Sequence, residues 1–435
     1  MELAEVWIWG KLAGALAWRS DEGYAVFEFD PEFRKLQWDI APLKMSIYSN
    51  QRLFSFPALR QRPDDELDTY KGLPGMMADA LPDRYGNTLI NAWLAQQGRP
   101  ANSMNPIETL CFIGSRAMGA LEFVPSLSRE KESATALEID SLVSAARSIL
   151  HRKMKVRTNM GSPDNALNEI LSVGTSAGGA RPKAIIAYNQ TNGEVRSGQT
   201  NAPEGFEHWI IKLDSVSDVQ LGSARGYGRV EMAYYNMARA CGIDMMPSTL
   251  LEENGRAHFM TRRFDRESGD IKHHVQTLCA IAHFDFNQTN SFSYEQLFQT
   301  MRELKCTYAE AEQMFRRMVF NVLARNCDDH TKNFAFLLKK DGHWQLAPAY
   351  DLCHAYKPGN QWVSQHALSI NGKRNEITGR DLLEVGKTIK TGRSNWSEII
   401  DEIMEQVNNW KSYANAVGVQ KDLRDEIDRT IIRSL

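Results

Sequence analysis

One polar octapeptide is the most informative part of the chain: Asn326-Cys327-Asp328-Asp329-His330-Thr331-Lys332-Asn333. Asp328 precedes Asn333 by five residues, which is the spacing of the protein-kinase catalytic loop H-R-D-x-x-x-x-N. In that loop the Asp accepts or orients the proton of the nucleophile, and the Asn carbonyl binds a magnesium ion. A helix C-terminus followed by an ordinary polar turn is the alternative. The density of Asp, His, Lys and Asn favours the catalytic loop.

A second acidic position follows downstream. The spacing of apolar residues predicts a helix over 308–326 before the octapeptide, and short strands over 334–338 and 343–346 after it. Asp351 then lies 18 residues beyond Asn333. This position suits the second magnesium-binding Asp of kinases. Magnesium prefers hard oxygen ligands, of which Asn333 and Asp351 would supply two, although a single Asp in a turn can also be structural.

A lysine and a glutamate upstream fit the same chemistry. Lys212 ends the apolar run Trp209-Ile210-Ile211-Lys212, within a strand predicted over 207–213. In kinases a strand lysine holds the α- and β-phosphates of ATP and pairs with a glutamate on the next helix. Glu231 lies 19 residues further on, at the start of a helix predicted over 228–242. Taken singly, each could be an ordinary surface charge.

A Gly-rich run precedes that lysine and reads Gly174-Thr175-Ser176-Ala177-Gly178-Gly179-Ala180-Arg181-Pro182-Lys183. Small residues let backbone N–H groups close on an anion, so the run can cover a phosphate. It does not match the Walker A pattern, and a tight turn is the alternative. Phosphate cover, strand lysine, helix glutamate, catalytic Asp and Asn, and metal Asp occur in the order of a protein-kinase-like fold. The series therefore predicts phosphoryl transfer.

Composition excludes several other classes. The chain has 435 residues, of which 43% are hydrophobic and 24% charged, so it is not disordered, collagen-like or a coiled coil. A net charge of −3 provides no basic field for nucleic acid. Six scattered cysteines without a C-x-x-C pair predict reduced thiols. With an acidic N-terminus and no long apolar run, these features predict a cytoplasmic protein that does not enter a membrane.

The patterns along the chain predict an α+β, two-lobed protein-kinase-like fold. We expect an N-terminal mixed β/α part over 1–130, a nucleotide-binding part of the kinase core over 131–265, and a mainly α-helical catalytic lobe over 266–435. Further predicted elements are helices over 85–97, 136–153, 395–411 and 421–434, strands over 183–188 and 256–264, and a hairpin turn at Asn192-Gly193. Polar stretches at 126–135 and 158–165 are predicted to be loops.

Five motifs together resemble the HipA family, the toxin kinases of bacterial HipBA-type toxin–antitoxin modules. They are Gly178 to Lys183, the strand ending in Lys212, Arg263-Phe264-Asp265-Arg266, the Asp-x-His-x-Lys-Asn loop, and Tyr350-Asp351. A weaker resemblance to the N-terminal half of that family extends over Leu81-Pro82-Asp83, Ile113-Gly114 and Leu121 to Pro125. The resemblance covers most of the chain, and its motifs are most specific between 174 and 351.

The resemblance implies a serine/threonine kinase that uses Mg-ATP. Asp328 would be the general base, Asn333 and Asp351 would bind Mg²⁺, and Glu231 is the predicted partner of the lysine. The ATP-binding residues would be Gly178, Gly179, Ala180, Arg181, Pro182, Lys183, Lys212, Arg262, Arg263, Phe264, His330, Thr331, Lys332, Asn333, Tyr350 and Asp351. Among them, Arg262 to Phe264 would link the lobes beside adenine. Asp329 stands where a small or neutral residue is expected, so the choice of Asp328 rests on its spacing to Asn333.

The resemblance also implies regulation and partners. Family kinases autophosphorylate a serine in the phosphate loop, which corresponds to Ser176, although the adjacent Thr175 is an alternative. The expected partner is a small helix-turn-helix antitoxin of HipB type, through which DNA would be contacted, and an aminoacyl-tRNA synthetase is a candidate substrate. Two other readings stay open: a catalytically silent subunit of a DNA-bound repressor complex, and a small-molecule kinase. The intact Lys212, Asp328, Asn333 and Asp351 argue against the silent subunit.

Overall fold

The computed structural model describes residues 1–60, 68–127, 137, 139–150, 182–198, 201–214, 216, 226–267, 271–340, 342–389 and 395–435. These residues fall into two compact units. The first unit comprises 1–38, 47–228 and 249–274, and the second comprises 39–46, 229–248 and 275–435. Both contain strands and helices, which confirms the α+β class. In the described part of the chain, no helix combines the length and apolarity that a membrane span needs.

The first unit begins with a five-stranded sheet in the order β4-β3-β2-β1-β5. Its strands are β1 (Leu3–Ile8), β2 (Lys11–Arg19), β3 (Tyr24–Phe29), β4 (Leu53–Ser55) and β5 (Leu121–Val124). Helices α1 (Pro31–Lys35), α2 (Gly75–Ala78), α3 (Arg84–Gln96) and α4 (Pro106–Ile113) and 3₁₀ turns Pro57–Leu59 and Gly114–Arg116 connect them. Alternate side chains of β3 are buried, as expected for a half-buried antiparallel strand.

A second five-stranded sheet follows in the first unit, in the order β7-β6-β8-β10-β9. After α5 (Ile139–Leu150) come β6 (Lys183–Tyr188), β7 (Val195–Ser197), β8 (Glu207–Lys212), β9 (Ser248–Glu253) and β10 (Arg256–Arg262). The predicted turn at Asn192-Gly193 joins β6 to β7, and Gly193 adopts the positive φ of 74° that glycine tolerates. Helices α3 and α5 bury their apolar faces against β6 and β8.

The second unit is mainly helical, as predicted for the C-terminal lobe. Its helices are α6 (Tyr227–Ala240), α7 (Leu278–Ala282), α8 (Tyr294–Glu303), α9 (Tyr308–Leu323), α10 (Gly379–Thr388), α11 (Trp396–Asn408), α12 (Trp410–Ala416) and α13 (Lys421–Asp428). A small sheet combines β11 (His274–Thr277), β12 (Ala335–Leu338) and β13 (Trp344–Leu346). Reciprocal capping boxes start α8 at Ser293, α9 at Thr307 and α10 at Thr378.

Three predicted helix ends are corrected by tertiary contacts. Helix α9 ends at Leu323 instead of 326: Arg325 takes a positive φ of 55°, and its side chain donates to the Thr430 carbonyl at 3.0 Å. The helix predicted over 395–411 stops at Asn408, and the fully buried Trp410 begins a separate helix. The last predicted helix ends at Asp428 instead of 434, since the N–H of Ile432 donates to the carbonyl of Leu323 at 3.0 Å. Local periodicity carries no signal for such long-range partners.

Candidate active site

The two neighbouring aspartates of the octapeptide occupy opposite environments. The side chain of Asp328 is 48% exposed, whereas that of Asp329 is fully buried. Both lie in the irregular segment between α9 and the 3₁₀ turn Thr331–Asn333. Only Asp328 is therefore accessible to an acceptor molecule.

Asp329 is held by three donors. Its carboxylate accepts hydrogen bonds from the Tyr294 hydroxyl at 2.8 Å, from the backbone N–H of Ala367 at 2.7 Å, and from Nδ1 of His366 at 2.9 Å. Burial alone would lower the pKa of His366, but the Asp329 carboxylate outweighs it and raises that pKa to about 10. The imidazole is therefore protonated near neutral pH and forms a buried ion pair with Asp329.

Asn333 closes the loop onto Asp328. Its side-chain Nδ2 donates to the backbone carbonyl of Asp328 at 2.6 Å, and its backbone N–H donates to the carbonyl of His330 at 2.8 Å. The amide nitrogen is thus used inside the loop, which leaves the amide oxygen as the atom suited to a cation. This geometry fits the predicted metal-ligand role of Asn333.

The remaining loop side chains gather around Phe286. The ring centroids of His330 and Phe286 are 5.3 Å apart, and Nζ of Lys332 lies 4.6 Å from the Phe286 centroid. Nε2 of His330 lies 3.7 Å from the Asp328 carboxylate. Thr331 is buried, and its hydroxyl donates to the Phe284 carbonyl at 2.6 Å, so this side chain supports the loop. Sequence reasoning missed Phe286, which no motif marks.

The backbone at Asp351 is strained, and the residues just before it are held by hydrogen bonds. Its φ is +54°, a left-handed conformation that is uncommon outside glycine and often found at functional sites. Just before it, the Ala349 N–H donates to the Asp244 carbonyl at 2.8 Å, and the buried Arg317 donates to the Ala347 carbonyl at 2.8 Å. The Tyr350 hydroxyl donates to the Lys332 carbonyl at 2.7 Å. The structure thus links the predicted metal Asp to the catalytic loop.

Lys212 lies in the middle of the second sheet of the first unit. Its antiparallel partners are Lys183 on β6 and Phe259 on β10, so the three side chains share one face. Nζ of Lys212 lies 5.8 Å from the Phe259 ring centroid. Glu231 is buried in α6 and belongs to the second unit, so its pairing with Lys212 stays a prediction.

The Arg263-Phe264-Asp265-Arg266 motif is a buried ion-pair cluster. Asp265 is bound bidentately by Arg263, at 2.8 and 2.7 Å, and by Arg266 at 2.7 Å. It also accepts the N–H of Gly119 at 2.7 Å. The Arg263 guanidinium is therefore committed to Asp265, and a contact of Arg263 with adenine would have to use its backbone. Arg262 pairs with Glu207 at 2.8 Å.

Part of the predicted phosphate cover lies outside the described residues. This applies to Gly178, Gly179, Ala180 and Arg181, and to the candidate modification sites Thr175 and Ser176. Their roles stay predictions.

Among the residues that the structure describes, no three His, Cys, Asp or Glu side chains are grouped to hold a metal ion. All six cysteines are free thiols.

Comparisons with known proteins agree with this architecture. The HipA N-terminal domain matches residues 4–124, and the HipA-like C-terminal domain matches residues 175–411. HipA of Shewanella oneidensis MR-1, solved with HipB and operator DNA, superposes with a TM-score of 0.67 at 15% identity, over 98% of this chain and 94% of that one. This likeness shows that the two proteins share a fold.

The curated relatives match a smaller part of this chain. A protein of Haemophilus influenzae described as a "putative kinase" is 24% identical over 40% of this chain. A Sinorhizobium fredii protein with the same description is 26% identical over 27% of this chain. The chain spans 60% and 30% of the lengths of these two relatives. The match of the C-terminal domain to more than half of the residues shows that the chain belongs to the HipA family.

Proposed function

We propose that this protein is a Mg-ATP-dependent serine/threonine protein kinase of HipA type. The observation that carries the proposal is the exposed carboxylate of Asp328 on a loop whose backbone is held by the buried Asp329 on one side and by the side-chain amide of Asn333, which donates to the Asp328 carbonyl. An accessible acid on an immobilised loop is what a catalytic base needs, because its position must be set before the acceptor arrives.

Asp328 would act on the acceptor hydroxyl. Its carboxylate would orient this hydroxyl and take its proton. As the acceptor oxygen bonds to the γ-phosphorus of ATP, the bond between that phosphorus and the β,γ-bridging oxygen would break. The leaving group is ADP. The imidazole of His330 lies beside this carboxylate, with Nε2 3.7 Å from it.

Asn333 and Asp351 would bind magnesium together with phosphate oxygens. Both provide oxygen atoms, and magnesium in kinases is usually held by one or two protein ligands plus the nucleotide. Bound there, the ion would neutralise charge on the β- and γ-phosphates. The hydrogen bond from Tyr350 to the Lys332 carbonyl would keep the two ligand-bearing segments in register.

Lys183 and Lys212 would contact the phosphates. They are directly opposed across β6 and β8, so both side chains lie on one face of the sheet. A triphosphate bound on this face would gain charge-assisted hydrogen bonds from the lysines.

Replacing Lys212 by alanine is expected to weaken Mg-ATP binding. A hydrogen bond to a charged group contributes about 1.5–3 kcal/mol, which corresponds to a dissociation constant raised about 10- to 150-fold. Calorimetric titration measures this constant directly. Lys11→Ala, an exposed strand lysine elsewhere in the first unit, is the matched control and should leave it unchanged. Equal affinity of Lys212→Ala and wild type would remove Lys212 from the site.

Autophosphorylation at Ser176 is expected to weaken ATP binding. A phosphoserine carries a charge of about −1.5 to −2, and within the predicted phosphate-covering run it would repel the phosphates of ATP. Phosphopeptide mapping of residues 171–183 after incubation with Mg-ATP, followed by titration of the modified protein, tests both points. Ser176→Ala should block the modification and Thr175→Ala should not. The opposite result would place the site at Thr175, and full affinity after modification would contradict the inhibitory role.

The toxin role rests on family membership. The Shewanella HipA was solved with HipB and its operator DNA, and we propose an equivalent helix-turn-helix antitoxin as partner here, with DNA contacted through it. An aminoacyl-tRNA synthetase is the candidate substrate, by resemblance alone. Incubating the pure chain with labelled ATP and a cell extract would separate the readings. Label on a protein supports the protein kinase, label on a metabolite supports a small-molecule kinase, and no label supports the silent subunit.

A further inference from the structure

The residues after Asp351 contact the catalytic loop on both sides of Asp328. On the N-terminal side, the N–H of Cys327 donates to the Ala355 carbonyl at 3.0 Å, and the N–H of Ala355 donates to the Arg325 carbonyl at 3.0 Å. These bonds form a parallel bridge between Asn326 and Ala355. The backbone before the candidate base is thus fixed by a segment 28 residues downstream of Cys327.

On the C-terminal side, the contact is made by charge. The fully buried carboxylate of Asp329 accepts hydrogen bonds from the backbone of Ala367 and the side chain of His366. A buried carboxylate is costly unless it is paired and hydrogen-bonded, and His366 supplies the opposite charge. Sγ of Cys327 lies 3.9 Å from the other nitrogen of the same imidazole. One histidine therefore touches both neighbours of Asp328.

The segment that carries His366 is itself anchored to the start of α8. Arg374 donates to the carbonyls of His366 and Phe292, at 3.2 and 3.3 Å, and also to the carbonyl of Ala367. The N–H of Tyr294 donates to the Ser369 carbonyl at 3.0 Å. Because the Tyr294 hydroxyl also donates to Asp329, helix α8, residues 366–374 and the catalytic loop form one hydrogen-bonded assembly.

We propose that Asp329, His366 and Tyr294 are positioning residues that set the orientation of the Asp328 carboxylate for phosphoryl transfer. The proposal rests on the kinase function proposed above and extends it, since none of the three side chains needs to touch the nucleotide. Asp329 occupies the position where a small or neutral residue was expected. The buried ion pair of Asp329 and His366 explains this difference from the expected residue, because it couples the loop of Asp328 to residues 366–374.

Tyr294→Phe is the mildest test, because it keeps the ring and removes only the hydroxyl, which donates to Asp329 and accepts from Nδ2 of Asn321 at 3.0 Å. The expected result is a kcat lowered about 10- to 100-fold, since small displacements of a catalytic group have effects of this size. The affinity for Mg-ATP, measured by titration, should stay unchanged. Tyr234→Phe is the matched control, because it removes another buried hydroxyl, which donates to the Ala324 carbonyl at 2.6 Å. It should keep its kcat, and thermal unfolding of both variants measures the stability that each one loses.

The histidine provides a second test. Asn can place a side-chain N–H close to the position of Nδ1, so His366→Asn should retain more kcat than His366→Ala. Equal loss in the two variants, or a loss in Tyr294→Phe no larger than that in Tyr234→Phe, would overturn the positioning role. Thermal unfolding of each variant identifies any loss that reflects misfolding, and a kcat that falls only with the folded fraction would also overturn it.

Amide hydrogen exchange tests the coupling between the loop of Asp328 and residues 366–374 independently of kinase activity. Tyr294→Phe should speed exchange at the Ala367 amide and across residues 328–333, whereas Tyr234→Phe should not. Unchanged exchange in Tyr294→Phe contradicts the coupling even if the kinase is active. If wild type transfers no phosphate at all, the proposed function fails, and faster exchange would still support the coupling between the two segments.

Discussion

Replacing Asp328 by asparagine is expected to lower the rate of phosphoryl transfer by a factor of about 10²–10⁴, the usual contribution of a general base. The variant keeps the size of the side chain and a hydrogen-bonding oxygen but loses the proton acceptor. Because the proposed role of Asp328 is to act on the acceptor hydroxyl, the affinity for Mg-ATP should stay close to that of wild type. The loss should therefore lie in kcat, as followed by intact mass and by ADP release.

Because the Asp328 side chain is partly exposed, the effect of this substitution on activity can be separated from an effect on folding. A side chain that is 48% exposed tolerates an amide of the same size, so Asp328→Asn should fold as well as wild type. Asp401→Asn, an exposed carboxylate on α11, is the control for a general loss of charge. If Asp328→Asn kept its activity while the folded Asp329→Asn variant had none, Asp329 would be the base and the assignment of the loop would be off by one residue.

Local sequence predicted the elements that have strong periodicity of their own. Strand β6 was expected over 183–188 and is found there, and α3 lies within one residue of its predicted bounds. The break at Asn408 was missed, because the fully buried Trp410 contacts residues that are distant in sequence, and its ring centroid lies 5.2 Å from that of Tyr234. Its indole N–H donates to the Arg424 carbonyl at 3.0 Å. Periodicity shows which face is apolar, but it does not show where a distant partner ends a helix.

The candidate site could be proposed from sequence for the same reason. The spacing of Asp328, Asn333 and Asp351 matches the spacing of a catalytic base and metal ligands, which a single stretch of chain can display, and their roles stay predictions. That Asp329 is buried could not be inferred, because its partner His366 lies 37 residues away in sequence. Arg263 was assigned to the nucleotide because its motif marks the family. In the structure its side chain belongs to an ion pair.

Replacing Asp265 by alanine is expected to destabilise the first unit by about 3–5 kcal/mol, the usual cost of leaving a buried charge without its partner. Asp265 is fully buried and forms ion pairs with both Arg263 and Arg266, whose side chains are only 2% and 7% exposed. Arg266 also donates to the carbonyl of Gly119 at 2.9 Å, so the cluster joins the chain before β5 to the end of β10. Urea denaturation followed by tryptophan fluorescence would measure the loss, with the exposed Asp21→Asn as the control.

Two further measurements separate the cost of an unpaired charge from the net value of the cluster. Burial alone would raise the pKa of Asp265, but Arg263 and Arg266 outweigh it and hold that pKa well below its usual range. The stabilisation is therefore fully present above the unfolded pKa of about 3.9 and is lost as the pH falls below it. Wild type should lose stability over that acidic range, and Asp265→Ala should lack this component of the pH dependence.

A triple variant, Arg263→Met, Asp265→Leu and Arg266→Met, removes all three charges. It should be more stable than Asp265→Ala, since apolar replacement of a buried ion-pair cluster is often neutral. If Asp265→Ala unfolded at the same urea concentration as wild type, the two arginines would have to be solvated or paired elsewhere, and the cluster would contribute nothing to the fold.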